Sequence, residues 1–291
     1  MNIHLPQTHE AKAEANILMN VVNNLVTPKS GEPLIAATQD FLTASFLVTN
    51  KDQFFDLAEF CKICGYFCIE ENEPITIPPP AIFKPIQLWT GKQIMNMLVK
   101  QNNKSSISVN IELDERNYSG VSKQMCPKDG YVIFSSSELM CGNLGKATLG
   151  DGSKRGLFYA LIRNSSNAVA AHCMLRLSKF ASRWLSNYGM SIGISDVTPY
   201  KIIDQKAEIV EEGYQKCDKL IEKFNLGKLS LKAGCNSDQT LESELNGVLS
   251  EIREKAGKLL KMTLPKTNSP LIMATCGSKG SYLNLSQMIG K

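Results

Sequence analysis

Hydrophobic residues recur every three or four positions in several parts of the chain, which is the spacing of an amphipathic helix. One such helical face, over residues 52–67, is formed by Phe55, Phe60, Ile63 and Phe67. Thr90 places a hydroxyl directly before another pattern of this kind and predicts a capped helix over residues 91–99. Further helices are predicted over residues 9–22, 39–48, 157–162 and 168–184.

Alternation of apolar and polar residues, which is typical of strands, marks other parts of the chain. Residues 107–111 alternate in this way, and residues 131–134 form a further β run. Residues 1–6 also alternate and predict a short strand. The three prolines at 78–80 enforce an extended connector. Strands and helices are therefore interspersed in this part of the chain.

Two long helical patterns occupy the last third of the chain. Thr198 and Pro199 predict the start of the first, because a capping hydroxyl is followed by a proline suited to the first helical position. Apolar residues then recur at helical spacing up to Gly227, and again over residues 241–259. Two helices of about 25 residues joined by a short loop predict an antiparallel hairpin.

The chain is long enough to bury a sizeable core. Its 291 residues are 43% hydrophobic, which allows one or two domains. Residues 189–199 contain glycine and serine and separate the mixed part from the helical part. The sequence therefore predicts an α+β fold with a mixed domain over residues 1–183 and a mainly helical domain over residues 184–291.

The amino-acid composition says more about the cellular compartment of the protein than about its function. Lysine and arginine number 32 against 28 acidic residues, and the net charge of +4 neither demands nor excludes a nucleic-acid partner. The odd count of nine cysteines, with no secretory leader before them, favours reduced thiols in a cytosolic or nuclear protein. No apolar run approaches the roughly 18 to 20 residues that span a bilayer, so membrane insertion is not expected.

Three cysteines with short spacing are the first candidates for metal chemistry. Cys61, Cys64 and Cys68 are three and four residues apart, which is also the spacing of one helical face. No fourth ligand lies nearby, and the three histidines of the chain form no HExxH arrangement. We predict core thiols on a helix, with a structural zinc site as the alternative.

Two glycine-containing loops could approach an anion. Residues 142–156 carry five glycines and three basic residues, and they predict a mobile basic loop. The spacing of Gly142, Gly145 and Lys146 does not fit a P-loop, because four residues must separate the glycines and a hydroxyl must follow the lysine. Residues 277–281 form a tight loop with Lys279 at its centre. A phosphate-handling protein and a plain solvated loop both remain open from these residues alone.

Three segments together resemble a known family. Residues 25–43 combine turns at Pro28, Gly31 and Pro33 with a helical run, and residues 84–93 and 277–288 follow them in order. These segments resemble consecutive parts of the largest subunit of multisubunit DNA-directed RNA polymerases, and the likeness covers essentially the whole chain. The family's Asn-Ala-Asp-Phe-Asp-Gly-Asp loop would directly precede residues 1–4. The family would also continue into the bridge helix after residue 288. The resemblance therefore implies a middle segment of such a subunit.

Within the family, the chain is similar to the polymerase III form. Residues 191–199, 139–154 and 213–218 carry that likeness. Ser195 stands where a glycine is usual, and residues 100–123 match poorly. A polymerase II segment and a free-standing phosphate-binding α+β protein are the alternatives.

The resemblance implies a pore domain over residues 1–183 and a funnel domain over residues 184–291. Together they would form the secondary channel for nucleoside triphosphate entry and for the backtracked RNA 3′ end. Implied partners are the second-largest and other polymerase III subunits, the transcript-cleavage zinc-ribbon subunit and the DNA template, in the nucleus. Mg²⁺ and zinc belong to the full polymerase and no cofactor to this chain. No Asp-x-Asp run exists in the sequence, so we expect the chain alone to be inactive in nucleotide transfer.

The resemblance also indicates site residues. Lys146 and Lys279 match basic residues that face backtracked RNA. Arg253, Leu283 and Gln287 match the polymerase II surface that binds the mushroom toxin amanitin beneath the bridge helix. We expect these side chains to converge on the channel, where cations would concentrate polyanions. Two alternatives are ordinary solvated lysines and a scaffold whose channel contacts carry no energetic weight.

Overall fold

A computed structural model describes residues 2–68, 75–100, 107–120, 128–198 and 203–289. The chain divides into two compact units. The first unit comprises residues 1–190 with 275–278, and the second comprises residues 191–274 with 279–291. Among the described residues, no helix is long and apolar enough to cross a membrane.

The first unit begins with four helices and a two-stranded sheet. The helices are α1 (His9–Ile17), α2 (Gln39–Val48), α3 (Leu57–Phe67) and α4 (Gly91–Val99). Strands β1 (Phe54–Phe55) and β2 (Trp89–Thr90) pair antiparallel and bring α3 beside α4. Asp56 caps α3 by accepting from the Glu59 amide at 2.7 Å, and Thr90 and Gln93 form a capping box at α4. The predicted cap at Thr90 is confirmed.

A three-stranded antiparallel sheet lies in the middle of this unit. Its strands are β3 (Ile111–Asp114), β4 (Tyr131–Ser135) and β5 (Glu138–Cys141), in that spatial order. Ile111 pairs with Phe134, and the buried Leu113 pairs with Val132. Helix α4 packs against β5. The mixed α+β character predicted for this region is therefore confirmed.

The remaining helices of the first unit complete its core. They are α5 (Lys146–Leu149), α6 (Leu157–Asn164) and α7 (Asn167–Tyr188). Helix α7 is central, because it packs against α2, α3, α4 and α6. Phe180 of α7 is fully buried and meets Phe67 of α3 edge-on, with ring centroids 6.4 Å apart. Burial of such large aromatic side chains is the main source of stability in this layer.

The second unit is helical in the part that the structure describes. It contains α8 (Ile194–Val197), α9 (Ile203–Asn225), α10 (Ser237–Thr263), α12 (Tyr282–Ile289) and most of α11 (Ser269–Cys276). Lys216 of α9 pairs with Glu251 of α10 at 3.6 Å, and a Cβ on Gly213 would lie 2.1 Å from Ile252 Cδ1. As residue numbers rise along α9, those of their partners in α10 fall, so the two helices are antiparallel. The predicted antiparallel hairpin is therefore confirmed.

Several local predictions differ from the structure. Residues 2–6 form no strand, and the helix predicted over 9–22 ends at Ile17 before a short 3-10 turn at Val21–Asn24. The helix predicted over 52–67 begins only at Leu57, because Asp56 adopts an extended capping conformation. The predicted helix start at Pro199, and parts of the poorly matching segment 100–123, lie outside the described residues.

Candidate functional site

Part of the glycine-rich segment 142–156 is buried and helical, whereas the sequence predicts a mobile loop throughout. Leu144 and Leu149 are fully buried in it, and residues 146–149 form α5. The amide of Gly142 donates to Asp129 Oδ1 at 2.9 Å, and the amide of Leu144 donates to Thr49 Oγ1 at 3.0 Å. The prediction failed because the acceptors on Asp129 and Thr49 are distant in sequence from this segment. The residues of the segment alone therefore do not reveal these hydrogen bonds.

A partly buried ion pair supports the start of this segment. Lys92 Nζ contacts Asp129 Oδ2 and also donates to the Thr49 carbonyl at 3.1 Å. The Asp129 carbonyl accepts from the Asn143 amide at 2.8 Å, and the Asn143 side chain donates to Asn50 at 2.8 Å. Removing one member of such a pair would leave an uncompensated charge in a largely buried site.

Glu115 holds the next part of the segment. It directly follows β3 and is only 5% exposed. Oε1 accepts from the amides of Gly145 at 3.0 Å and Thr148 at 2.8 Å, and from the Thr148 hydroxyl at 2.6 Å. Oε2 accepts from the Ala147 amide at 3.2 Å. A carboxylate therefore satisfies the amides that the first turn of α5 leaves without helical partners.

Burial and hydrogen bonding act in opposite directions on this carboxyl. Burial raises the pKa of Glu115 above its ordinary value, and the hydrogen bonds from Thr148, Gly145 and Ala147 oppose that rise. Burial has the larger effect, so the pKa is raised overall. The neutral form of Glu115 is therefore more favourable in the folded chain than in the unfolded chain.

These contacts argue against a phosphate-binding loop. The amides of Gly142, Leu144, Gly145, Ala147 and Thr148 all donate to protein oxygens. A P-loop instead turns its amides toward the phosphate groups of its ligand. These five amides are therefore already bound within the protein and do not form an anion-binding cradle.

Lys146 is the cationic side chain that this segment presents. It is the first residue of α5, and its side chain is 41% exposed. Lys146 Nζ pairs with Asp151 Oδ1 at 3.1 Å, and Asp151 is 58% exposed. A pair this open to solvent contributes little to stability and leaves Lys146 accessible to other anions.

The second glycine loop begins beside Lys146 in the first unit. Gly277 has a φ of +82°, and a Cβ there would lie 2.7 Å from Lys146 Cβ and 3.2 Å from Arg116 Cζ. Cys276 is buried, and its thiol lies 3.9 Å from the Thr43 hydroxyl. Only glycine fits this turn without strain, because both the φ angle and the space exclude a side chain. The structure thus joins the two loops that the sequence singled out separately.

The other predicted site residues belong to the second unit. Ser286 of α12 donates to the carbonyl of Arg253 in α10 at 2.8 Å, and Leu283 and Gln287 are also residues of α12. Leu283 is 46% exposed, and Arg253 and Gln287 are also exposed. Lys279 is exposed in the turn that precedes α12. Their convergence with Lys146 of the first unit stays a prediction.

The core that holds α12 on α10 is apolar. Leu260, Ala274, Leu285 and Ile289 form a buried cluster, with Tyr282 packed against it. Lys261 Nζ lies 4.6 Å from the centre of the Tyr282 ring. This packing fixes the face of α12 that carries Leu283 and Gln287.

Sequence reasoning missed Glu115 and Arg116. The signal was present, because Ile111, Leu113 and Glu115 alternate on one face of a strand and all three are buried. A carboxylate at the end of an apolar strand face must find hydrogen-bond donors inside the fold.

The cysteines of α3 agree only in part with the prediction. Cys64 is buried, and burial with the nearby Cys68 and Cys61 raises its pKa to about 12. Cys61 is exposed and Cys68, at the end of α3, is only partly buried, so the prediction of three core thiols holds for Cys64 alone. Cys61 lies on the solvent side because the apolar face of α3 is centred on Phe60, Ile63 and Phe67. Within the described ranges, no group of three or more His, Cys, Asp or Glu residues could hold a metal ion.

Comparison with known families agrees with the resemblance in the sequence. The model for RNA polymerase Rpb1, domain 3, matches residues 24–197, and the model for RNA polymerase Rpb1, domain 4, matches residues 221–291. The chain belongs to the RNA polymerase Rpb1 family. The two matches, in order, cover both glycine loops, α10 and α12, and they leave most of α9 between them.

Relatives of this Rpb1 segment are polymerase III subunits. It is 51% identical over 290 residues to "DNA-directed RNA polymerase III subunit rpc1" of Dictyostelium discoideum. The identity is 48% over 292 residues to the Homo sapiens subunit RPC1 and 47% over 295 residues to that of Saccharomyces cerevisiae. Each match covers 99% of the chain and 20%, 21% and 20% of the respective relative. The chain spans about a fifth of the length of these relatives, and the polymerase III form is confirmed over polymerase II.

Proposed function

We propose that the chain forms the pore and funnel of the secondary channel in RNA polymerase III. Nucleoside triphosphates would enter the active centre through it, and the RNA 3′ end would be extruded into it during backtracking. The observation that carries this proposal is the ordered match to Rpb1 domains 3 and 4 with close similarity to polymerase III subunits over 99% of the chain.

Two rigid surfaces support the proposal. In the first unit, the segment held by Glu115 and Asp129 presents Lys146, with Arg116 beside the adjoining Gly277 turn. In the second unit, α12 is fixed on α10 at Arg253 and displays Leu283 and Gln287. Cations on rigid supports suit a passage for triphosphates and RNA, because both ligands are polyanions.

We also propose the setting that this role requires. The domain division would be a pore over residues 1–183 and a funnel over residues 184–291. The partners would be the second-largest and other polymerase III subunits, the zinc-ribbon cleavage subunit, the DNA template and the transcript, in the nucleus. Other parts of the enzyme would hold its Mg²⁺ and zinc, since the described residues offer no metal cluster and the sequence no Asp-x-Asp run.

The test is a reconstituted polymerase III that carries K146A and K279A in its complete largest subunit. Each lysine that contacts single-stranded RNA contributes about 0.7 to the slope of log affinity against log salt concentration. Occupancy of the backtracked state should fall roughly three- to tenfold at low salt, and its salt dependence should become shallower. Elongation on an unpaused template should change less.

The control is K232A with K258A, which also removes two lysines with exposed side chains, and both of these lysines are ion-paired. Lys232 pairs with Glu244 at 2.8 Å and Lys258 with Glu254 at 2.7 Å. This variant should affect backtracking and cleavage much less, because only Lys146 and Lys279 match residues that face backtracked RNA. Equal effects of the two double variants, or unchanged pausing and cleavage with K146A and K279A across a salt series, would contradict the channel role of both lysines.

A further inference from the structure

We propose that Glu115 is a positioning residue for Lys146, and that it acts by fixing the backbone from which the Lys146 side chain projects. This inference rests on the proposed channel role of Lys146. Glu115, a buried carboxylate that the sequence analysis did not single out, would thereby have a functional role.

The hydrogen bonds of Glu115 bracket Lys146 on both sides. Oε1 accepts from the Gly145 amide on one side and the Thr148 amide on the other, at 3.0 and 2.8 Å, and Oε2 accepts from the Ala147 amide at 3.2 Å. Helix α5 has only four residues, and a single turn is unstable without tertiary contacts. Glu115 therefore supplies the N-terminal partners that define where α5 begins.

The far end of α5 is held independently. The Ala147 carbonyl accepts from the Ser153 hydroxyl at 3.0 Å, and the Leu149 carbonyl accepts from the Ala37 amide at 3.0 Å. With this end fixed, loss of Glu115 should release the first turn and its Lys146 side chain rather than the whole segment.

The close approach of Glu115 explains the residue before Lys146. A Cβ on Gly145 would lie 2.7 Å from Glu115 Oε2 and 3.2 Å from the Cys276 carbonyl oxygen. Gly145 therefore lets the strand end, α5 and the segment before Gly277 meet. G145A should displace the Glu115 carboxylate without altering any charge, which makes it an independent test of the same contact.

Glu115 can act on position without neutralising the lysine. The ammonium group of Lys146 pairs with Asp151, whereas Glu115 binds backbone amides and the Thr148 hydroxyl. Loss of Glu115 should therefore misplace a cation that is still present. A double-mutant cycle separates this mechanism from general destabilisation, since coupled residues give non-additive effects.

The experiment compares E115A, K146A and their combination in reconstituted polymerase III, with backtracked-state occupancy across a salt series as the readout. We expect E115A to lower occupancy about as much as K146A and to add less than twofold in the K146A background. E115Q keeps an oxygen acceptor, so its occupancy of the backtracked state should be closer to that of the wild type than to that of E115A. G145A should lower the occupancy in the same way as E115A.

S137A is the control. It removes a buried hydroxyl elsewhere in the first unit, which donates to the Ile107 carbonyl at 3.0 Å, and it should leave the salt dependence of backtracking unchanged.

Hydrogen exchange in the 291-residue chain gives a second readout that needs no channel function. E115A should speed exchange at the amides of Gly145, Ala147 and Thr148 at least tenfold relative to S137A. Unchanged exchange there would overturn the inference about Glu115 alone, as would multiplicative effects of E115A and K146A. If K146A left the occupancy of the backtracked state unchanged, the channel role of Lys146 and this inference would both be overturned.

Discussion

The hydroxyl of Thr148 donates a 2.6 Å hydrogen bond to Glu115 Oε1, and the two residues are 33 positions apart in the chain. The same oxygen accepts the Thr148 amide, so Thr148 offers both of its donors to one carboxylate. Hydrogen bonds to a charged acceptor are stronger than neutral ones, and this cluster is buried. The stability of the glycine-rich segment 142–156 therefore depends on the protonation of one glutamate.

We predict that this dependence is visible as a pH effect. The pKa of Glu115 is raised by burial, so the folded chain binds its proton more tightly than the unfolded chain, where glutamate has a pKa of about 4.3. The stability contribution is then fully present below about pH 4 and is lost as pH rises through the folded pKa. The free energy of unfolding of the wild type minus that of E115Q should fall over this window and level off above it.

Urea unfolding of the 291-residue chain at a series of pH values measures this difference. S137A is the control, because it replaces a buried hydroxyl and its difference from the wild type should not vary with pH. A wild-type minus E115Q difference that rises with pH would show that the hydrogen bonds outweigh burial.

The turn at Gly277 offers a paired test of the contact with Lys146. Gly277 and Gly280 have φ angles of +82° and +76°, so alanine is strained at both, by roughly 1 to 2 kcal/mol. A Cβ at Gly277 would also lie 2.7 Å from Lys146 Cβ, whereas nothing lies within 4 Å at Gly280. G277A should destabilise the chain by about 1 to 3 kcal/mol more than G280A. Equal losses in thermal unfolding would mean that the turn does not pack tightly against Lys146.

Two of the helical glycines in the hairpin, Gly213 and Gly247, have opposite environments. A Cβ on Gly213 would lie 2.1 Å from Ile252 Cδ1, whereas one on Gly247 meets nothing within 4 Å. Alanine improves helix propensity by up to about 1 kcal/mol at either position. G247A should therefore raise the melting temperature, and G213A should lower it because α9 and α10 are forced apart.

A compensating variant checks the cause. I252A removes the side chain that a Cβ on residue 213 would meet, so G213A should be less harmful in the I252A background. Additive losses from G213A and I252A would place the effect elsewhere than at this contact.

The cysteines should differ sharply in reactivity. Burial raises the pKa of Cys64 and of Cys173 to about 12, so at pH 8 only about one part in 10⁴ of each is thiolate. Cys61 is exposed and should react with iodoacetamide in the folded chain, while Cys64 and Cys173 should react only after unfolding. Peptide mass analysis before and after denaturation distinguishes them, and rapid labelling of Cys173 in the folded chain would contradict its burial.

Short-range patterns predicted much of the secondary structure. The bounds of α2 and α4 agree with the prediction, and α9 and α10 form the expected hairpin. These predictions succeeded because caps and helical periodicity act within one or two turns of the chain. The family could also be identified from the sequence, because three short segments in the expected order resemble it. The comparisons confirm that family.

Tertiary structure alone decided how the glycine-rich segment 142–156 is held. Its glycines and basic residues looked mobile, since its anchors lie elsewhere: Thr49 is 95 positions from Leu144, and Glu115 is 30 positions from Gly145. Whether an amide in such a loop finds an acceptor depends on which distant strand ends beside it. The sequence thus determined the longest helices and the family, whereas the fold decided that the amides around Lys146 are held in place, because only folding brings the buried carboxylate of Glu115 to them.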